Sequence, residues 1–329
     1  MLIVRAIEAL ITAYDKTSRT SQGTAWDDPA LADALRAPDQ DRLRRGLALL
    51  AESRTNPELR ALRVRKISRS VMDRLDELTV AADDENPDVL LLLGTTRIQY
   101  AWEIRGGAYA RYVGEERFRR FWAELRQAEA PLRRAAELLP DDPVPWDELQ
   151  WFGIGMQVGR RELDRIWNEL LSRWPSLYAG HFSRVQAISD KWYGSDEEAA
   201  EFAEALVAQA KPGDPVVANA AAAHFEIAVR KMDKANIPEA ALRNHFVQQP
   251  VYALLAQAAD LWLQDPIPHP MTLDAHHLFG AAFYIAGDLD RARRHLGHLD
   301  RRMPDRLPWG AVSLTPGRYY SRARKALRL

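Results

Sequence analysis

Apolar and polar positions alternate with helical period along nearly the whole chain. The clearest stretch is Leu273–Pro304. Counted from Leu273, Gly280 falls at position 8, Phe283 at 11, Gly287-Asp288 at 15 and 16, Ala292 at 20, Leu296 at 24 and Pro304 at 32. That rhythm of small and large residues predicts two antiparallel helices of the tetratricopeptide kind, a unit that buries its apolar face by stacking on its neighbours. Further corners follow at Pro140-Asp141-Asp142-Pro143, Trp174-Pro175, Lys211–Pro215 and Asp265–Pro268. Counting back from Pro140 as position 32 places Ala128, Leu132 and Ala135 at 20, 24 and 27.

Towards the N-terminus the helix punctuation is equally regular. Asp27-Asp28-Pro29, Asn56-Pro57-Glu58 and Asn86-Pro87-Asp88 each set a capping side chain before a first-turn proline. They predict a long basic helix from Asn56 to about Val80 and another through Arg105, broken at Gly106-Gly107. A third, Glu115–Leu139, carries Pro131 as a bend point. Ser195 with Glu198 reads as a capping box after the loop 191–194. No run of alternating β-branched residues predicts a strand. The expected fold is all-α: a right-handed superhelix of tetratricopeptide-like helix pairs, an α-solenoid with an N-terminal helical cap. The expected division is a cap over 1–112, a repeat array over 113–310 and a basic C-terminal helix over 311–329. With no Gly/Ser linker between them, these segments are expected to form one continuous body.

Composition changes this picture little. The 329 residues are 47% hydrophobic and 28% charged, which suits a folded chain. There are no cysteines, which excludes disulfides, thiol nucleophiles and thiolate metal sites. The first residues, MLIVRAIEALITAYDK, carry Arg5 and Glu8 and read as an amphipathic helix rather than a signal peptide. No window approaches the ~18 apolar residues of a membrane span. A cytoplasmic protein with no membrane partner is expected. The formal net charge is −1, yet Arg42–Arg74 carries a balance of +7 and Arg291–Leu329 one of +9. Solvated helix faces account for both; docking of an acidic or phosphate-bearing partner is the sharper alternative, and nucleic acid is the weakest.

Five motifs occur in order: WEIRGGAYA at Trp102–Ala110, PDDPVPW at Pro140–Trp146, Gly180-His181, KWYGS at Lys191–Ser195 and AHFE at Ala223–Glu226. Over roughly residues 86 to 230 the chain thereby resembles an actinobacterial family of unknown function with tetratricopeptide-like repeats. The resemblance implies an all-helical repeat fold and carries over no activity and no catalytic residue. Where that family often has a second glycine after the tryptophan, this chain has Tyr193.

The side chains that stand out suit recognition better than catalysis. Successive first helices carry His181, His224 and the pair His276-His277, and Trp146 occupies the matching place after its own corner. Stacking would align them as a ladder on the concave face, or as packing residues with bonded ring nitrogens. In the known repeat, positions 2, 5 and 12 face the groove, which marks Asp274, His277 and Tyr284. Lys191 and Trp192 would form a recognition lip beside it, or Trp192 would plug a gap between unequal repeats. Around Gly106-Gly107, the set Arg97, Tyr100, Glu103, Arg105, Tyr109 and Arg111 would clamp an anion or do acid–base work, or form ordinary ion pairs. His295 and His298 share a helix face, but no carboxylate stands at ligand spacing, so no metal and no cofactor is expected. Gly153, Gly155 and Gly159 follow no strand and predict close helix packing rather than nucleotide binding.

The expected function is therefore a non-catalytic scaffold or adaptor whose groove binds a protein or peptide. The alternative is an enzyme or small-molecule binder with a pocket around Arg97, Glu103, Arg105 and Tyr109. The same tryptophan-bearing groove would also serve as a homodimer interface.

Overall fold

A computed structural model describes residues 11–82, 85–106, 114–305 and 307–329. The described residues are helical throughout, apart from turns and one two-stranded contact. The chain forms two compact units: Asp28–Ala187, and a split unit made of Met1–Asp27 with Ile188–Leu329. The two helices on either side of residue 112 pack along each other within the first of these units.

Asp28–Ala187 holds nine α-helices among its described residues: α1 (Pro29–Arg36), α2 (Asp39–Glu52), α3 (Pro57–Ser70), α4 (Leu75–Ala81), α5 (Pro87–Arg105), α6 (Glu115–Leu138), α7 (Val144–Met156), α8 (Arg160–Arg173) and α9 (Tyr178–Ala187). The caps are those the sequence predicts. Asp28, Asn56 and Asn86 accept from the amides of Leu31, Asn56's third neighbour Leu59, and Asp88. The expected helix from Asn56 to Val80 is instead two, α3 and α4. Ser68 and Ser70 donate their hydroxyls back to Arg65 O (3.0 Å) and Ile67 O (2.8 Å), and the backbone leaves the helix at Val71. By contrast α6 continues through Pro131.

Helix α3 touches α5, α7 and α9, and α7 touches α5 and α9, while α6 packs on α5 and α8 on α7. Small residues set the spacing. A β-carbon at Gly94 would come within 2.5 Å of Leu132 Cγ, and one at Gly155 within 2.6 Å of Leu125 Cδ1. Arg60, with no exposure, ties three elements together. It pairs with Asp88 at the start of α5 (2.8 Å) and with Asp142 in the corner before α7 (2.6 Å), and donates to Leu50 O in α2 (2.7 Å).

The split unit contains α10 (Asp196–Gln209), α11 (Ala218–Lys234), α12 (Pro238–Val247), α13 (Gln249–Leu263), α14 (Thr272–Ala286), α15 (Leu289–Leu296), α16 (Trp309–Val312) and α17 (Pro316–Ala326). Helices α14 and α15 are the pair predicted from Leu273–Pro304. Gly287 ends α14 in the left-handed region (φ 91°), Asp288 caps α15 through the Arg291 amide, and Gly280 lies against Leu296. The described part of the N-terminal segment is fastened here. Strand β1 (Ser21–Gln22) runs parallel to β2 (Arg302–Met303). The Asp15 carboxylate accepts from the amides of Gly317 (3.2 Å) and Arg318 (2.9 Å), capping α17 from outside it.

Candidate functional site

The histidines singled out by the repeat rhythm are packed inside. His181, His224, His276 and His277 are 6%, 4%, 6% and 0% exposed. His181 Nδ1 meets Leu177 O at 3.1 Å, with the ring edge-on to Trp167. Burial holds its pKa down at about 4. His277 has both nitrogens engaged: Trp309 Nε1 donates to Nδ1 (2.9 Å), so the ring proton sits on Nε2 and is donated to Arg302 O (2.8 Å). His277 thus holds α14 to α16 and β2 instead of facing a ligand. His277→Ala is expected to lower the melting temperature of the split unit by several degrees, since it orphans the buried Trp309 N–H. A thermal melt within one degree of wild type would contradict this placement. His295 lies against His276 (3.1 Å between Nδ1 atoms), and the exposed His298 stacks on His276.

The other predicted residues are spread out. Trp146 is nearly buried, its ring under the guanidinium groups of Arg165 and Arg173. Lys191 pairs with Glu226 (2.7 Å), beside a half-buried Trp192. Asp274 and Tyr284 are half-buried, and Tyr284 meets Tyr319 edge-on. Arg97 pairs with Glu124 (2.8 Å) rather than with Glu103, which is exposed. Arg105 donates to Gly106 O (3.0 Å) and lies over Trp102. Tyr109 and Arg111 fall outside the described residues. No group of three or more His, Asp or Glu side chains among the described residues is disposed to hold a metal ion, and no described helix is long and apolar enough to cross a membrane.

A different cluster is assembled within Asp28–Ala187. Asp147 and Glu148, adjacent on α7, are both unexposed. Arg65 of α3 serves both: Nη2 donates to Asp147 Oδ2 and Nε to Glu148 Oε1, each at 2.9 Å. Ser183 of α9 donates to Asp147 Oδ1 (2.6 Å), and Gln150 Nε2 donates to Ser183 Oγ (2.8 Å). The Arg65 side chain remains 21% exposed, with its guanidinium over Trp151 at 5.5 Å. Trp151 in turn meets Trp102 of α5 edge-on and Phe182 of α9 at a tilt, both with centroids 6.3 Å apart. All three rings are partly exposed. They form an aromatic shelf contributed by three helices, edged by an arginine that two buried carboxylates hold still. Burial raises Asp147 and pushes Glu148 up to about 7, against the opposing pull of Arg65.

Sequence reasoning missed this site. Arg65 is 82 residues from Asp147, and adjacent acids on a helix ordinarily point to water. One signal was present: Asp147 and Glu148 are the only charges in the otherwise uncharged VPWDELQWFGIGM of α7. Comparison with known proteins finds no family model, no curated protein and no solved structure that matches the chain.

Proposed function

We propose that this all-α protein is a non-catalytic binding module of tetratricopeptide-like helix pairs, which holds a peptide or a partner segment on the shelf of Trp102, Trp151 and Phe182. The observation that carries the reading is the union of partly exposed rings from three different helices with a guanidinium immobilised by buried partners. Aromatic and arginine side chains supply most of the affinity at protein interfaces, and a preorganised group loses little entropy on binding. Arg65 engages the acids through Nε and Nη2, leaving Nη1 for an acceptor on the ligand, such as a peptide carbonyl or carboxylate. The contacts of α5 and α7 with each other, each with a second helix at its back (α6 on α5, α8 on α7), are consistent with stacked repeats.

A displayed random-peptide library selected on the wild-type protein should return a recurring sequence. Trp151→Ala or Phe182→Ala should weaken that peptide by at least about 2 kcal/mol, roughly 30-fold. The melting temperature should change far less than for substitution of an unexposed residue. A library that returns nothing, or a peptide indifferent to both substitutions, would remove the reading.

A further inference from the structure

Two buried carboxylates facing one guanidinium leave a negative charge in excess. Asp147 and Glu148 are not equivalent hosts for it. Asp147 accepts from Arg65 and also from Ser183 Oγ at 2.6 Å, and both bonds favour its ionised form. Among the described residues, Glu148 accepts from Arg65 through Oε1 alone; its Oε2 is buried and has no hydrogen-bond partner there. An uncompensated buried charge is costly, and neutralisation by a proton is the usual resolution.

Among the described residues, Arg65 is the cation whose charge acts on both carboxyls. From α3, Arg65 faces the pair, while Arg69 donates to Gln99 Oε1 of α5. From α5, Arg97 is turned to Glu124 of α6, and Arg105 to Gly106 O and Trp102. From α8, Arg165 and Arg173 lie over the Trp146 ring. From α9, His181 meets Leu177 O and Arg184 pairs with Asp164.

We infer that Glu148 is a proton-binding site within the ligand surface, and that its charge state regulates that surface through Arg65. With the proton in place, Arg65 and Asp147 balance and the guanidinium edge presents its positive charge to an incoming acceptor. With the proton lost, the group beside Trp151 is net negative. A ligand that places a carboxylate on Arg65 would therefore bind together with a proton, more tightly at pH 6 than at pH 8. That consequence rests on the shelf being the ligand surface; the proton site itself does not.

The test needs no ligand. In protein labelled with ¹³C at glutamate side-chain carboxyls, one resonance should titrate with a midpoint near 7, where burial places Glu148, and should vanish in Glu148→Gln. Arg65→Met removes the opposing cation and should move the midpoint up by roughly 1–3 pH units. Asp147→Asn removes the neighbouring negative charge and should move it down, which keeps the assignment open if Glu148→Gln fails to fold. If every glutamate finishes titrating below about pH 6, as ordinary glutamates do, or if the high-midpoint resonance survives Glu148→Gln, the inference is overturned. A flat titration would leave the ligand surface standing. A library that returned no peptide would remove the surface and leave the titration intact.

Discussion

At about pH 5 the split unit is expected to lose its structure while Asp28–Ala187 keeps its own. The split unit buries His224, His245, His276, His277 and His295, and burial depresses every one: to about 4 for His224, about 3 for His245, His276 and His277, and well below the ordinary value for His295. Lys231 and His245 reinforce this. Lys231 Nζ donates to His245 Nδ1 (3.2 Å), so His245 donates Nε2–H to His224 Nδ1 (3.3 Å), and neither ring can take a proton without breaking the file. In the unfolded chain the same histidines titrate near 6.5. Between that value and the depressed one the unfolded state binds more protons, so stability falls as the pH falls. Each such histidine contributes on the order of 1–2 kcal/mol at pH 5, against a total of about 5–15 kcal/mol for a domain.

Asp28–Ala187 carries one histidine of this kind, His181, and two carboxyls of the opposite sense. Asp147 and Glu148 have raised folded values, so the folded state binds more protons than the unfolded one between about 4.5 and 7 for Glu148, and acidification there adds stability. Hydrogen exchange read by peptide at pH 7 and pH 5, corrected for intrinsic rates, should show protection lost in α11, α12, α14 and α15 and kept in α3, α5 and α7. Loss beginning in α3, α5 and α7 would reverse the assignment.

Arg60→Met should be the most damaging single substitution in Asp28–Ala187. It removes an unexposed cation between two carboxylates that stay behind. Asp88 keeps its contact with Arg54 (2.5 Å), but Asp142, 5% exposed in its side chain, keeps among the described residues the hydrogen bond from the Val144 amide (2.9 Å) and a more distant attraction to Arg54. Breaking a buried pair from one side costs about 3–5 kcal/mol, which for a unit of this size lowers the melting temperature by roughly 10 °C. The companion Arg60→Met/Asp142→Asn removes the stranded charge and retains an oxygen that can cap Val144, so it should recover at least half of the loss. If the double variant melts no higher than the single one, the cost lies in packing around the arginine stem and not in the uncompensated carboxylate.

The sequence made the helices legible wherever a polar cap stood before a proline, as at Asp28, Asn56 and Asn86, because that chemistry is local. It overran at Ser68 and Ser70, where two hydroxyls compete for carbonyls that a helix would use. The histidines were placed on the right helices. Their depth was open because a bulky repeat position suits a packed core and a lined groove alike, and the choice at His277 is made by Trp309 and Arg302, both distant in sequence. The same holds for the acids at 147 and 148: their helix was predicted, and their burial depends on an arginine from α3 that no local pattern connects to them.

The fastening of the N-terminal segment has a consequence for biosynthesis. Gln22 Nε2 donates to Asp305 O, 283 residues further on, next to the β1–β2 pairing. On a ribosome adding about 5–20 residues each second, the segment around Gln22 emerges roughly 15–60 s before its partners. Asp28–Ala187 has all its own sequence available well inside that interval. The nascent chain therefore carries all of Asp28–Ala187 while Ser21–Gln22 has no strand to pair with until synthesis has passed Met303.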